Sequence, residues 1–376
     1  MSTTRPSLAA LAAYFLRLGA LGFGGPIALA GAMQRDLVEE RGWVSRDDYL
    51  RGLTLAQLAP GPLAAQLAIY IGWVHAGVAG ATLIAAAFVL PSFLMVIALS
   101  VAYVRLGGLP WMQTAFYGVG AAVIAVILRS AIKLVRMTVG RDVWLWIVFL
   151  VNAAVTAVAE AEIVPLILGC GVATLLVRRG RAGGGVALAI VPPIALAAPA
   201  AAAAPGTLFW FFLKAGAFVF GSGLAIVPFL YGGVVREHAW LSDQQFLDAV
   251  AVAMITPGPV VITVAFIGYL VDGLAGAGLA ALGVFLPCYL FVVLPAPYYA
   301  RFADDPRVRA FVDGVSVAAT GAIAGAVVVL ARRALVDLPS LAIFAATLAC
   351  LLVWKRAPEP LLIALAAIAA IVLRGG

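Results

Sequence analysis

The chain has 376 residues, of which 65% are hydrophobic and 11% charged, and its mean hydropathy is +1.12. A soluble domain carries about 25% charged residues, so the composition excludes a soluble fold and specifies an all-α polytopic membrane protein. The formal charge of +7 fits basic loops facing anionic lipid better than a nucleic-acid partner.

Taken in order, the apolar runs predict helices over 8–33, 47–75, 77–103, 112–137, 143–160 and 162–178. A second set follows over 207–232, 244–271, 273–299, 308–331, 338–354 and 359–373. At about 20 residues per crossing these are spanning candidates. The first residues lack the layout of a cleaved signal peptide. The Ala-rich segment 184–204, carrying Pro192, Pro193 and Pro199, is a thirteenth crossing or a linker. The expected organisation is a repeat over 1–180, a connecting segment over 181–206 and a second repeat over 207–376.

The repeat is visible in register. A shift of 197 residues aligns Gly19 with Gly216, Trp43 with Trp240, Ser45 with Ser242 and Pro60-Gly61-Pro62 with Pro257-Gly258-Pro259. After a one-residue gap, Gly77 meets Gly273, Gly80 meets Gly276 and Pro91 meets Pro287. If 184–204 spans, the second half enters from the opposite side and the repeat is inverted. The basic loops Arg129 to Arg141 and Arg178 to Arg181 then fall on the cytoplasmic side, whereas Arg332 and Arg333 do not.

Two stretches interrupt each half. Pro60 and Pro62, like Pro257 and Pro259, donate no backbone hydrogen bond and break any helix that reaches them. Phe23-Gly24-Gly25-Pro26 and Phe220-Gly221-Ser222-Gly223 supply the second break. Broken or re-entrant backbone survives in lipid only when buried in protein or lining a wet cavity. Paired breaks in a duplicated chain point to a substrate site. Helix starts there offer unpaired N–H groups and positive partial charge to an anion. The alternative is that Gly and Pro merely kink helices and allow close packing.

Flanking side chains extend the candidate site. Arg17 and Lys214 align across the halves and either attract an anion or snorkel toward the interface. Gln57, Gln66, Thr256 and Thr263 are hydrogen-bond donors beside the breaks. Asp248 is the candidate proton-coupling acid, with Arg51 at its counterpart position. Glu40 and Glu237 lie in amphipathic turns, where an interfacial role competes with gating. No cofactor or metal is expected, because Cys170, Cys288, Cys350, His75 and His238 form no ligand cluster. Lys133, Lys214 and Lys355 sit in no phosphate-binding loop.

Phe23-Gly24-Gly25-Pro26, the Glu-x-x-x-Trp-x-Ser loop, Pro60-Gly61-Pro62, Phe220-Gly221-Ser222-Gly223 and Thr256-Pro257-Gly258-Pro259 resemble the chromate transporter family over nearly the whole chain. Ile27-Ala28-Leu29 stands where many relatives carry a histidine, so no histidine role carries over. The resemblance implies chromate export across a bacterial inner membrane, driven by the proton motive force. The expected partners are chromate, protons, the lipid bilayer and a second copy in a homodimer. Sulfate or another tetrahedral oxyanion is the alternative cargo. A membrane enzyme would need a nucleophile with a base, or a metal cluster. A structural subunit would leave the symmetric breaks without a purpose.

Overall fold

The computed structural model describes residues 6–23, 25–106, 110–160, 163–180, 205–218, 226–298, 305–354 and 359–374. Among them the regular structure is helical, with no strand. The first half holds α1 (Leu8–Leu21), α2 (Gly25–Met33), α3 (Arg46–Leu58), α4 (Leu63–Leu106), α5 (Pro110–Thr138), α6 (Val143–Ala159) and α7 (Val164–Gly180). The second holds α8 (Pro205–Phe218), α9 (Ile226–Leu230), α10 (Asp243–Ile255), α11 (Thr263–Val293), α12 (Pro306–Ala334), α13 (Leu338–Val353) and α14 (Glu359–Arg374). Most predicted segments reappear within a few residues, but 8–33, 47–75 and 244–271 are each split into two helices, and residues 219–225 of 207–232 lie outside the described residues. Most of the connecting segment, residues 181–204, lies outside the described residues.

Local chemistry sets the helix ends. Ser45 and Ser242 cap α3 and α10, accepting from the amides of Asp48 and Gln245, and Asp142 and Asp337 do the same for α6 and α13. α4 and α11 are hairpins rather than rods. Helical geometry is lost at Ala76 and Gly77 in one, and at Asp272 and Gly273 in the other. A Cβ built on Gly72 would lie 2.9 Å from Ile84 Cβ, and one on Gly268 would lie 2.8 Å from Ala280 Cβ. Twelve residues of unbroken helix span about 18 Å, so each chain doubles back.

The segments 8–33 and 47–75 do not cross as single spans. Gly52 on α3 packs against Leu67 and Tyr70, and Trp43, Ser45 and Asp48 share a cavity of about 80 Å³ with Ile71, Val74 and His75. The start of α3 therefore lies level with the end of the first α4 arm, and the chain turns back at Pro60-Gly61-Pro62. α1 and α2 do likewise: Tyr14 on α1 donates to Asp36 beyond α2 at 3.2 Å. The first half thus begins with two re-entrant hairpins, and in the second α8 packs on α9, with Phe211 stacked on Phe229 at 5.3 Å. The crossings follow: the second arm of α4 or α11, then α5 or α12 with two shorter helices. By length and composition, Leu63–Leu106, Trp111–Thr138, Val260–Tyr298 and Pro306–Ala334 are the candidate spans. The chain is a multi-pass membrane protein.

The halves are antiparallel and interlocked. Ser92 lies beside Gly258, and the Tyr103 and Phe266 rings meet at 5.1 Å. The second arm of the first-half hairpin therefore runs alongside the first arm of the second-half hairpin. Equivalent arms point in opposite directions, as an inverted repeat requires. Outer helices are exchanged: α6 and α7 pack on α12, while α13 and α14 pack on α5. The first face collects the 34–45 turn, the 76–77 turn and the 139–142 loop. The second collects Glu160, the 231–242 turn, the 272–273 turn and the 335–337 loop.

This arrangement predicts side-specific labelling. In a background with Cys170, Cys288 and Cys350 replaced by Ser, Gly140→Cys and Leu335→Cys will react with a membrane-impermeant maleimide from opposite faces. Asp47→Cys will react from the same face as Gly140→Cys. Labelling of 47 and 140 from opposite faces would restore a full crossing in place of the re-entrant hairpin.

Candidate functional site

The hairpin tips are where helix formation fails. α3 ends at Leu58 and α10 at Ile255, and the next residues, Ala59 and Thr256, are extended. Gly61 and Gly258 then take φ values of +135° and +98°, which L side chains rarely adopt. Gly25 opens α2 with φ +75°. The three tips so described present the starts of α2, α4 and α11; those of α2 and α4 offer leading amides, whereas a 3-10 turn over Val260–Ile262 precedes α11, and the Ile262 and Thr263 amides already donate to Pro259 and Val260. Gly24, Phe220, Gly221, Ser222 and Gly223 lie outside the described residues.

Tips from opposite halves meet. The Gly258 amide donates to the Gly22 carbonyl at 2.8 Å. A methyl on Gly258 would overlap the Ser92 hydroxyl, which itself donates to the Gly19 carbonyl at 3.2 Å. On the twin side, a Cβ on Gly61 would lie 3.3 Å from Cys288 Cβ. Ser92 and Cys288 are equivalent positions, each following the helical proline, Pro91 or Pro287. Each Pro-Gly-Pro tip thus seats against the same position of the opposite half.

The tips are sheathed in protein. Leu63 to Gly72 are all buried, as are Phe246 to Met254. Gly61, Pro62, Thr256, Pro257, Gly258 and Pro259 are buried, with Pro60 and Pro26 partly so. This satisfies the demand that irregular backbone avoid lipid. The cavity beside Trp43 and His75 lies near the first face, away from the tips.

Gln66 and Thr263 occupy equivalent places just past the tips. Gln66 Nε2 donates to the Pro60 carbonyl at 2.6 Å, spanning the break, while its buried Oε1 finds no partner among the described residues. Thr263 Oγ1 donates to the Val260 carbonyl at 2.8 Å and Thr256 Oγ1 to the Val252 carbonyl at 2.6 Å. In this conformation both hydroxyl protons bind backbone carbonyls.

The remaining candidates are dispersed. Arg17, Gln57 and Lys214 are exposed on the bundle and do not join the tips, and Phe23 stands in the α1–α2 break but is exposed. Glu40 is exposed and 3.7 Å from Arg35, and Glu237 is exposed in the matching turn. Asp248 is different. It is 3% exposed, accepts from Tyr103 at 2.7 Å and Gln244 at 2.8 Å, and joins the two halves. Its counterpart Arg51 is exposed.

Sequence reasoning missed Ser92, Cys288, Gly22 and Tyr103. The first two were marked by the aligned prolines before them. Gly22 and Tyr103 act through the opposite half, and no local pattern announces that.

A family model described as chromate transporter matches residues 9–175 and 206–371, one match in each half. The chain is 58% identical to the chromate transport protein of Cupriavidus metallidurans, covering 97% of this chain and 93% of that one. It is also 58% identical to the probable chromate transport protein of Synechococcus elongatus, covering 97% and 95%. Identity to the chromate transport protein of Pseudomonas aeruginosa is 34%, covering 95% and 90%. No solved structure matches.

The seat of Gly258 is testable by packing. Gly258→Ala is expected to cost about 1–3 kcal/mol through overpacking against Ser92, lowering the melting temperature of the purified protein. Combination with Ser92→Ala should recover part of the loss. Equal melting temperatures for Gly258→Ala and wild type would refute the contact.

Proposed function

The chain belongs to the chromate transporter family, and from that premise we propose that it exports chromate from the cytoplasm as a secondary transporter of the bacterial inner membrane. The meeting of re-entrant tips from opposite faces, fixed by the Gly258 amide on the Gly22 carbonyl, is the observation that best supports a transport path. A dianion leaving water loses several kcal/mol of solvation per charge. The amides opening α2 and α4 replace part of that hydration, and Gln66 Nε2 and the Thr256 and Thr263 hydroxyls add to it when they leave the backbone carbonyls they bind here. The break residues 23–26, 60–62, 220–223 and 256–259 line the site. Arg17 and Lys214 raise the local anion concentration, and Gln57 offers a hydrogen-bond donor.

Orientation follows from charge. Arg35, Arg41, Arg46, Arg136, Arg141, Arg178 and Arg179 gather at the first face, which makes it cytoplasmic. Moving a dianion out through 100 mV then gains about 4.6 kcal/mol, enough for a gradient of about a thousandfold. Uptake would have to offset the same quantity. Asp248, buried between the halves without a cation among its partners, is the proton-coupling group. Glu40 and Glu237 assist at the rims. Sulfate is the second reading for the cargo, favoured by the chemistry of amides that read charge and tetrahedral shape alone.

In proteoliposomes loaded with chromate, efflux should rise when valinomycin and potassium set the interior negative, and stay low when they set it positive. Asp248→Asn should keep the response to potential and lose the response to an imposed pH gradient. Flux indifferent to potential would overturn export, and an intact pH response in Asp248→Asn would remove Asp248 from the coupling.

A further inference from the structure

We propose that Arg236 and Arg333 form an oxyanion site on the second face, and that Glu160 occupies it as a tethered competitor for the departing anion. Both guanidiniums converge on one atom, Glu160 Oε2: Arg236 Nη2 is in direct contact, and Arg333 Nη2 lies at 3.3 Å. The second nitrogen of Arg333, Nη1, reaches Asp243 Oδ2 at 3.6 Å. Asp243 is held in turn by the Tyr231 hydroxyl at 2.6 Å. Arg333 is thus aimed from one side while its other edge faces Glu160.

The two guanidiniums meet the carboxylates of Glu160 and Asp243, so withdrawal of Glu160 leaves a net positive cluster. Each guanidinium can hold an oxyanion through paired N–H groups. An oxyanion in the place of Glu160 would bridge both. Displacement is feasible because the side chains are 27–43% exposed, and ion pairs open to water hold weakly.

The backbone supplies an independent mark. Glu160 stands at φ +51°, and Ala239, three residues after Arg236, at φ +50°. They are the two non-glycine residues of positive φ among those described, and both flank this cluster. Such conformations cost energy and concentrate at functional places. The cluster is also one-sided. Glu39, Arg46 and Met137 stand where the repeat places Arg236, Asp243 and Arg333.

Asp243 opens α10, the helix that leads to the Thr256–Gly258 tip, so the arginines stand beside a route from tip to second face. That this is the exit side rests on the export reading. The site also accounts for Arg333 lying on the face that the positive-inside rule disfavours.

Sulfate, a stable tetrahedral dianion, is the probe. It is titrated calorimetrically at low ionic strength into the detergent-purified full chain, with each variant first shown to elute as the wild type does. Glu160→Gln and Glu160→Ala should each bind sulfate about tenfold more tightly than wild type. Adding Arg236→Gln with Arg333→Gln should abolish that gain, and Glu39→Gln, an equal change of net charge elsewhere, should give none. Unchanged affinity in both Glu160 variants, or a gain that survives loss of both arginines, would overturn the proposal. Chromate flux through the same proteins reads the export proposal separately: tightened sulfate binding without flux leaves the arginine site standing and sinks export. Flux with unchanged binding does the reverse.

Discussion

A peptide group that leaves its helix inside a bilayer must find a partner there or cost several kcal/mol. Pro60, Pro62, Pro257 and Pro259 guarantee that helices fail at two places in this chain. The fold answers by putting each failure at the tip of a hairpin and seating that tip against the other half. The Gly258 amide finds the Gly22 carbonyl, and Gln66 Nε2 finds Pro60 across the break. The second-half tip takes its partner from the first half, whereas Gln66 serves its own break. Each tip also approaches a side chain from the opposite repeat, Ser92 or Cys288, so closeness depends on glycine at both places.

The exchange of outer helices follows from the same dependence. α6 and α7 leave their own repeat to pack on α12, and α13 and α14 pack on α5. Small residues make these contacts close. A Cβ on Gly321 would crowd the Asn152 side chain at 3.0 Å, and one on Gly325 would crowd Thr156 at 2.8 Å. Without a hydrophobic drive between helices in lipid, such close packing and the polar contacts around it hold the halves together. The buried Tyr103–Asp248 bond lies across the same seam between the repeats.

Much of this was legible in the chain itself. Hydropathy gave the helical segments, the 197-residue register gave the repeat, and the prolines gave the breaks. The direction taken after each break was not legible. A run such as 47–75 is long enough to cross, and tertiary contacts such as that of Gly52 with Tyr70 reveal that it turns back. Periodicity describes which face of a helix is apolar, not where the helix goes after a proline. Long-range partners were hidden for a related reason: Tyr103 and Asp248 lie 145 residues apart, and nothing near either one names the other.

An inverted repeat with identical halves would present the same surface to both sides of the membrane, and nothing in it would distinguish export from import. Direction has to enter through departures from the symmetry. The departures here are concentrated in charge: Asp248 against Arg51, Arg236 against Glu39, and Asp243 against Arg46. Burial departs with them, since Asp248 is enclosed and Arg51 exposed. The neighbouring helices supply the reason, because α5 and α14 cover α10, whereas α3 rests chiefly on α4. The glycines and prolines that shape the tips are shared by both repeats, while these charged groups are not. Symmetric backbone thus builds the paired tips, and asymmetric side chains give the two faces different chemistry.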